Sequence, residues 1–462
     1  MTPTTLCLTA KQREILRAHV FPDDRCEAVA IALCGRAVSP HRVKLLVHRI
    51  VPVPYDICAV RTPDRVTWPT DFLVPHLHEA SREGWSVVKI HGHRGYDRFS
   101  VVDDAADRRL FPSLYAWIES DGPHGSAIVM DDGRVFGRVV TESGDFVSFA
   151  QVSVVGDNLE FFRGDRAGAA VPAFGVRIAQ TFGQGTFEQL QHLRVGVVGA
   201  SGTGSPVIEE LARNGVGELV LVDPDVVEDK NLNRIWNSTR QDAQEGRSKV
   251  NVAARAIAAM GLGTGVETLA ANLFDWGAVR AIASCDIVFG CMDTVDGRYL
   301  LNKLAAFYLL PYIDLGVKLE ADGHGGVDQV AGSIHYLRPD GSSLLSRHVF
   351  TMEQVRVAGL RRTDPERYRK ELDEGYIRGV QEDRPAVIHV NTLVASLAVN
   401  ELLARIHPYR LDPNAHFATT RISLSHGIFA HESEGGPCPT VVRHVGRGDV
   451  EPLLDWPELS GR

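Results

Sequence analysis

The chain has 462 residues, which is too long for one ordinary core and fits two large domains. Hydrophobic residues make up 44% and charged residues 23%, the balance of a globular protein, so disorder is not the default expectation. A formal net charge of −9 provides no overall attraction to nucleic acid or to an anionic membrane. No apolar segment approaches the roughly 20 residues that span a bilayer. We therefore expect a cytoplasmic protein without nucleic-acid or membrane partners.

The first part of the chain mixes helical and strand patterns. Apolar spacing predicts two amphipathic helices and three strands, over residues 11–19, 72–84, 28–34, 44–53 and 85–90 respectively. A Gly- and Ala-rich passage at 162–173 then predicts a linker. We expect an α+β domain over residues 1–163 and a second domain over residues 164–460.

The second domain opens with Arg194-Val-Gly-Val-Val-Gly199, a short apolar strand that meets a glycine turn. A helix at 205–214 and strands at 217–223 and 285–290 follow. Strands that alternate with helices predict a doubly wound parallel sheet, so the chain is α/β overall. The polar stretch 361–384 is expected to be a helical or mobile insertion, with the pair Arg361-Arg362 on a solvated face.

A histidine motif ends the predicted strand at 85–90. His91 and His93 lie two residues apart on extended backbone, so both imidazoles point to the same side. Asp103, at the start of a following helix, completes a three-ligand zinc site with a fourth position for water. Glu27 is the candidate general acid/base, and Ser100 the candidate donor to a developing oxyanion. A structural or surface role for the two histidines remains the alternative.

These five residues resemble the pattern of the JAMM (JAB/MPN) metalloproteases, which is a Glu, then H-x-H, then S-x-x-D. The resemblance covers about residues 5–150. One departure is Arg94, where the family usually has Pro. The resemblance implies zinc-dependent cleavage of peptide or isopeptide bonds after the C-terminal Gly of ubiquitin-like proteins.

A glycine loop begins the second domain. Gly199-Ala-Ser-Gly202-Thr-Gly204 follows a strand and opens a helix, so free N–H groups and the helix dipole face an anion there. Asp223 ends the next strand, where it can accept hydrogen bonds from ribose hydroxyls. This much also fits an NAD dehydrogenase or another Rossmann nucleotide site.

Three residues further along favour ATP. Arg234 and Lys249 suit a triphosphate and a leaving pyrophosphate, and Asp293 can hold Mg²⁺. A hydride-transfer enzyme needs none of these groups. The sequence therefore predicts a nucleotide-activating site.

The motifs D-x-D, N-L-x-R, G-x-x-K and C-x-D occur in this order and resemble the ThiF/MoeB family and the adenylation domain of ubiquitin-activating enzymes. The match covers about residues 175–410. The resemblance implies that Asp223 binds ribose and that Asp293 binds magnesium. It also implies that Asn231 and Arg234 bind the phosphates of ATP. Lys249 is expected to bind both the phosphates and the acyl adenylate.

The same resemblance implies a homodimer whose partner subunit supplies an arginine finger, for which Arg177 is the candidate. The paired Cys-x-x-Cys zinc sequences of many relatives are absent, and residues 332–382 contain no cysteine. Cys285 and Cys291 are expected in the core. Cys438, predicted in an exposed turn, is the best remaining candidate for a thioester. We expect the acyl group to pass instead to a transfer-enzyme cysteine or an amine.

The first hypothesis is a bifunctional enzyme of a bacterial ubiquitin-like pathway that adenylates the C-terminal Gly of a ubiquitin-like protein and cleaves after that Gly. A role in antiviral defence rests on family analogy alone. The second hypothesis is activation of a sulfur-carrier protein for thiocarboxylate formation, which the absence of a rhodanese-like cysteine domain weakens. The third is a non-enzymatic scaffold that binds ubiquitin-like partners.

Overall fold

The computed structural model describes residues 2–118, 122–164, 170–321, 324, 326–374, 377 and 387–460. The predicted linker at 162–173 therefore includes five residues, 165–169, that lie outside the described part. Much of the predicted insertion at 361–384 also lies outside it, namely residues 375–376 and 378–384.

The first half of the chain follows the predicted pattern of helices and strands. Its strands are β1 (Thr4–Thr9), β2 (Val29–Val38), β3 (Val43–Pro52), β4 (Val60–Thr62), β5 (Arg65–Thr67), β6 (Ser86–His93), β7 (His124–Met130), β8 (Val135–Val140), β9 (Phe146–Ser148), β10 (Gln151–Val155) and β11 (Leu159–Phe162). Its helices are α1 (Ala10–Val20), α2 (Val74–Glu83) and α3 (Val101–Ile118). The two predicted helices correspond to α1 and α2, and the three predicted strands to β2, β3 and β6.

The second half alternates strands and helices before it becomes antiparallel. Its strands are β12 (Arg194–Val198), β13 (Glu218–Val222), β14 (Gly265–Leu269), β15 (Ile287–Gly290), β16 (Tyr312–Ala321), β17 (Val327–Leu337), β18 (Thr419–Ser423) and β19 (Ile428–Glu432). Its helices are α4 (Val176–Phe182), α5 (Gln184–His192), α6 (Gly204–Arg213), α7 (Arg240–Gln244), α8 (Lys249–Met260), α9 (Trp276–Ala283), α10 (Val295–Phe307), α11 (Met352–Thr363), α12 (Pro365–Asp373), α13 (Ile388–Ile406) and α14 (Pro439–Val442). Within the described ranges, no helix is long and apolar enough to cross a membrane.

The first half forms a mixed nine-stranded sheet in the order β11-β10-β1-β3-β2-β6-β7-β8-β9. Helix α1 covers one face with Leu16 and Val20. Helices α2 and α3 cover the opposite face, to which they contribute Leu77 and Phe111. Strand β6 lies inside this sheet, antiparallel to β2 and parallel to β7. The end of β6, which carries the histidine motif, is therefore held by a strand on each side.

The second sheet has eight strands in the order β14-β13-β12-β15-β16-β17-β18-β19. The first five strands in this order, β14, β13, β12, β15 and β16, are parallel to one another. Each later strand, from β17 to β19, pairs antiparallel with its neighbour. The chain builds outward from β12 to β14, then returns to add β15 on the other side of β12. Ligands of such sheets bind outside the carboxyl ends of the strands at this reversal. The predicted doubly wound sheet is confirmed, and its reversal lies between β12 and β15.

The two sheets share apolar cores. Leu159 and Phe161 of the first half pack with the cluster formed by α6, α8 and α13. On the other side, Cys7 and Leu46 pack with residues of α9 and α10. The boundary between residues 163 and 164 stays a prediction, because apolar packing runs across it.

Lys44 on β3 is buried where the two sheets meet. Its side chain is 2% exposed, and Nζ donates to the carbonyl oxygens of Ala283 (3.2 Å), Cys285 (2.8 Å) and Tyr308 (3.4 Å). Burial lowers the pKa of Lys44. A buried ammonium is costly unless its protons are bonded, so these carbonyls fix β3 against the second half.

Asp286, just before β15, is the buried anion of the same junction. Its Oδ1 accepts hydrogen bonds from Arg42 Nη1 (2.6 Å) and Gln151 Nε2 (3.1 Å), and its Oδ2 accepts from the Arg194 N–H (2.9 Å). Burial by itself would raise the pKa of Asp286, but the Arg42 guanidinium outweighs it and the pKa is lowered. One carboxylate thus joins two strands of the first sheet to β12 and β15.

The segment after α14 returns to the first sheet. The Gly35 N–H donates to the Gly446 carbonyl (3.1 Å), and the Asp449 N–H donates to the Arg36 carbonyl (2.6 Å). The Asp449 carboxylate also accepts from the Val38 N–H (2.9 Å). Residues 446–449 therefore complete the hydrogen bonding at the end of β2.

Asp286→Asn is expected to lower the free energy of unfolding by about 3 kcal/mol, because it leaves Arg42 buried without its anion. Guanidinium unfolding followed by circular dichroism measures the change. Glu353→Gln, which removes an exposed partner of Arg356, is the control and is expected to leave stability unchanged. An Asp286→Asn protein as stable as the wild type would contradict the proposed importance of this junction.

Candidate active sites

The histidine motif forms a compact group of three side chains. His91 Nε2 lies 3.0 Å from His93 Nε2 and 3.1 Å from Asp103 Oδ1, and His93 Nε2 lies 3.7 Å from Asp103 Oδ2. Their ligand atoms all fall within 4.8 Å of one another. Within the described part of the chain, this is the one group of three or more His, Cys, Asp or Glu side chains that lie close enough to share a metal ion. The three predicted ligands are thus brought together.

Hydrogen bonds around the group leave metal-binding atoms facing one another. His93 Nδ1 lies 3.0 Å from the Tyr96 carbonyl, so Nδ1 carries the proton and Nε2 presents its lone pair. Burial lowers the pKa of His91, although Asp103 acts in the opposite direction. The lowered pKa favours the neutral imidazole. Neutral imidazole is the form that binds metal. The donor set of two His and one Asp fits zinc.

Ser100 holds the carboxylate ligand. Its N–H and its hydroxyl both donate to Asp103 Oδ2, each over 2.7 Å. Burial by itself would raise the pKa of Asp103, but the adjacent His91 imidazole and the hydrogen bonds from Ser100 outweigh it and lower the pKa well below its usual range. The Ser100 hydroxyl, which is the candidate oxyanion donor, therefore donates to Asp103. Ser100 also lines the adjacent cavity.

Glu27 lines the same cavity, of about 240 Å³, together with His93 and Ser100. Burial, together with the nearby carboxylates of Asp103 and Asp64, raises the pKa of Glu27 to about 7. The Glu27 N–H donates to the Thr62 carbonyl (2.8 Å), so the β4–β5 hairpin fixes the position of the residue. A carboxyl group with a pKa near neutral can both accept and return a proton.

A buried ionic network behind the histidines was missed from the sequence. Lys89 on β6 pairs with Asp107 on α3, and Asp107 also accepts from Arg138 Nη2 (2.8 Å). The Arg138 guanidinium lies 3.7 Å above the Phe99 ring and 2.6 Å from Asp104. These contacts clamp the start of α3, and with it Asp103, against the sheet. The available signal was a lysine between Val88 and Ile90 in a predicted strand.

The second site begins at the glycine loop between β12 and α6. Gly199 has φ +95°, and a Cβ there would lie 2.6 Å from the Cys291 carbonyl oxygen. A Cβ on Gly204 would lie 1.8 Å from the Gly199 carbonyl oxygen. Only glycine allows these approaches, so the loop closes tightly over the first turn of α6. Gly199 and Gly202 line the cavity outside it, whereas Gly204 packs behind the loop.

Asp223 fixes this loop from the end of β13. Its Oδ2 accepts from the Ala200 N–H (2.7 Å), and its Oδ1 accepts from the Asp225 N–H (2.9 Å). Burial raises the pKa of Asp223, while Lys249 at 3.9 Å acts in the opposite direction. The residue expected at the ribose thus also orders the backbone of the loop.

One cavity of about 760 Å³ lies outside the ends of β12, β13 and β15, at the reversal of the sheet. Its lining includes most of the residues predicted for nucleotide binding: Gly199, Gly202, Asp223, Asn231, Arg234, Lys249 and Asp293. Lys249 Nζ pairs with Asp225 (2.6 Å), and Arg234 Nη1 donates to the Lys230 carbonyl (2.8 Å). Asn231 is 4% exposed, and its Oδ1 accepts from the Glu228 N–H (3.0 Å).

Residues 176–430 match the family model described as ThiF family. The chain belongs to the ThiF family. The match begins after β11, so the nine-stranded sheet lies outside it.

Curated relatives of this ThiF-family chain include three activating enzymes or adenylyltransferases. The SAMP-activating enzyme E1 of Haloferax volcanii is 36% identical over 159 residues, which is 34% of this chain and 53% of that protein. Adenylyltransferase and sulfurtransferase MOCS3 of Mus musculus is 43% identical over 109 residues, 23% of each chain. Ubiquitin-like modifier-activating enzyme 5 of Drosophila willistoni is 29% identical, over 33% of this chain and 38% of that one. The chain thus spans about half the length, or less, of these relatives.

Among solved structures, E. coli MccB with ATP is similar at 18% identity and a TM-score of 0.44. The similarity covers 58% of this chain and 74% of that one.

Arg177 does not line the cavity of its own ThiF-family domain. It is exposed on α4, where Nη1 donates to Gln180 Oε1 (3.2 Å). Its role as an arginine finger in a homodimer stays a prediction.

Arg362 corrects the expectation of a solvated face at the Arg361-Arg362 pair. Its Nε donates to Asp296 (2.9 Å), its Nη1 donates to Glu458 (2.9 Å), and its guanidinium lies 3.4 Å above the Phe274 ring. Arg362 also lines the nucleotide-site cavity. Helices α11 and α12 confirm the helical prediction for the insertion as far as Asp373. The charged sequence pattern did not show that the Arg362 side chain points inward.

Asn391 on α13 also lines the cavity and was missed from the sequence. It lies outside all four ThiF-type motifs. The available signal was a polar residue on an otherwise apolar face of a long helix.

The prediction of an exposed turn at Cys438 is wrong. Its side chain is 1% exposed and packs with Ala306 and Val441. Cys285 and Cys291 are buried, as expected, and burial raises the pKa of both thiols. Burial by itself would raise the pKa of the Cys438 thiol, but hydrogen bonds with Ser343 and Thr440 outweigh it and lower the pKa. The thiol is nevertheless almost fully covered, which leaves little room for an acyl adenylate to reach it.

His91→Ala and His93→Ala are each expected to reduce the zinc bound by the purified protein to background, because three protein ligands are the minimum of a tight catalytic site. Elemental analysis by mass spectrometry measures the ratio of zinc to protein. His78→Ala, on the exposed face of α2, is the matched control and should retain the metal. Unchanged zinc in both His91→Ala and His93→Ala would refute the metal assignment.

Proposed function

We propose that the ThiF-family part adenylates the C-terminal Gly of a small ubiquitin-like or sulfur-carrier protein. The observation that carries this proposal is the single cavity at the reversal of the parallel sheet, which gathers the glycine loop with Asp223, Arg234, Lys249 and Asp293. The names of the activating-enzyme and adenylyltransferase relatives support the same reaction class.

The chemistry is an attack of the carrier carboxylate on the α-phosphorus of ATP. The bond from that phosphorus to the bridging oxygen breaks, which yields an acyl adenylate and pyrophosphate. Arg234 and Lys249 neutralise the phosphates, so that an anionic nucleophile can approach an anionic substrate. Asp293 would hold Mg²⁺, which would supply further charge neutralisation. Asp223 orders the glycine loop and accepts from the ribose, so catalysis consists mainly of positioning.

For the N-terminal part we propose zinc-dependent cleavage of a peptide or isopeptide bond after the same Gly. His91, His93 and Asp103 would hold the zinc, and zinc bound there supplies a Lewis acid that polarises a carbonyl and acidifies water. Glu27 takes the proton from the attacking water and returns it to the leaving amine. The raised pKa of Glu27, about 7, suits both steps.

The acyl group passes to a nucleophile on another protein, either the cysteine of a transfer enzyme or an amine. The burial of Cys438 favours this route over a thioester within the chain. One relative, MOCS3, is named as an adenylyltransferase and sulfurtransferase, which keeps thiocarboxylate formation on a sulfur carrier as the second candidate fate. Mass spectrometry of the carrier after reaction separates a conjugate from a thiocarboxylate.

ATP–pyrophosphate exchange tests adenylation. With a candidate carrier ending in Gly, the wild type is expected to exchange label, and Asp293→Ala and Arg234→Ala are each expected to lower the rate by about 100-fold or more, because each removes charge stabilisation from the transition state. Arg356→Ala, an exposed change on α11, should leave exchange intact. Absence of carrier-dependent exchange in the wild type would sink the adenylation proposal.

Cleavage of a carrier extended beyond its terminal Gly tests the N-terminal part. Glu27→Ala is expected to lower the cleavage rate by about 100-fold or more while it retains zinc, because only the proton-transfer group is removed. Glu14→Ala, on the exposed side of α1, is the matched control. Equal cleavage by Glu27→Ala and the wild type would show that another group moves the proton.

A further inference from the structure

The start of α13 reaches the glycine loop of the nucleotide site. Asn391 lies in the first turn of this 19-residue helix and is 2% exposed. A Cβ on residue 202 would lie 2.3 Å from Asn391 Nδ2 and 3.4 Å from Arg234 Cδ. Glycine at position 202 therefore allows the amide of Asn391 to approach the loop beside Arg234.

The amide nitrogen of Asn391 has no hydrogen-bond partner among the described residues. Buried side-chain donors in folded proteins are nearly always bonded, and an unpaired one requires an explanation. An amide nitrogen only donates, so the group that completes it is an acceptor. The guanidinium of Arg234 and the positive end of α13 share this corner of the cavity, which favours an acceptor with negative charge.

A purely structural role would not require an amide here. Val390 and Val394 are buried on the same helix, and Val394 packs directly over Gly332 of β17. An apolar residue at position 391 would continue this packing without leaving a donor unpaired. The polar side chain lies where α13 leaves the apolar core and meets the cavity.

We propose that Asn391 is a nucleotide-binding residue whose Nδ2 donates to a phosphate oxygen of ATP. The inference rests on the proposed adenylation site and adds to it a contact from the last long helix of the chain. The glycine loop, Arg234 and Asn391 then surround the phosphates from three separate elements. An anionic oxygen could also come from the carrier carboxylate, so the test separates the two sources.

The test measures binding of ATP, AMP and adenosine to the full chain by calorimetry with Mg²⁺, first without carrier and then with a candidate carrier that ends in Gly. Asn391→Asp, which replaces the donor by a negative charge, is expected to raise the Kd for ATP at least tenfold and to leave the Kd for adenosine within twofold. Asn391→Leu, which keeps the size without the donor, should weaken ATP by a smaller factor. Asn400→Asp makes the same change on the exposed face of α13 and should bind as the wild type does.

Each other outcome overturns the inference in a distinguishable way. Unchanged ATP affinity in both Asn391 variants, with wild-type melting temperatures, refutes it and leaves adenylation standing. An equal loss of ATP and adenosine binding indicates a packing role. A defect that arises only when carrier is added, with ATP affinity unchanged, assigns the donor to the carrier carboxylate. Failure of the wild type to bind ATP removes both the inference and the proposed adenylation.

Discussion

The buried carboxylate of Asp286 is the contact on which the arrangement of the two halves depends. It accepts from Arg42 and Gln151 of the first sheet and from the backbone of Arg194 at the start of β12. It therefore grips β12 and β15 at their amino ends, opposite the cavity. Because both strands are held there, their carboxyl ends can carry the glycine loop and polar side chains without contributing to the junction between the halves.

The two sites solve one electrostatic problem in opposite ways. The proposed metal site offers lone pairs to a cation: the Tyr96 carbonyl orients His93, and Ser100 holds Asp103. The proposed nucleotide site offers N–H groups and cationic side chains to an anion, and Asp223 orders the loop that carries those N–H groups. In each site a short polar side chain forms hydrogen bonds that fix its neighbours: Ser100 fixes Asp103, and Asp223 fixes the backbone of the glycine loop.

Much of this could be predicted because the signals are local. Strand and helix periodicity located β6, β12 and α6, and motif spacing brought His91, His93 and Asp103 to one point. The features that the sequence did not predict depend on packing between segments that are distant in the chain. Arg362 looks solvated beside Arg361, yet it lies over a ring from another element, and Cys438 lies in a Gly- and Pro-rich turn that a neighbouring helix covers. Asn391 belongs to no motif because Gly202, the loop residue that it approaches, lies 189 positions earlier in the sequence.

The return of residues 446–449 to the end of β2 affects how the protein can be divided. The backbone groups that pair with Gly35 and Arg36 lie more than 400 positions further along the sequence than β2. A fragment that stops at the end of the first sheet leaves those groups in water and also exposes Leu46 and Cys7, which the second half covers. If the two halves were expressed separately, the first would have unpaired backbone groups on β2 and an exposed apolar surface. Co-expression of both halves is therefore better suited to its study than the isolated fragment.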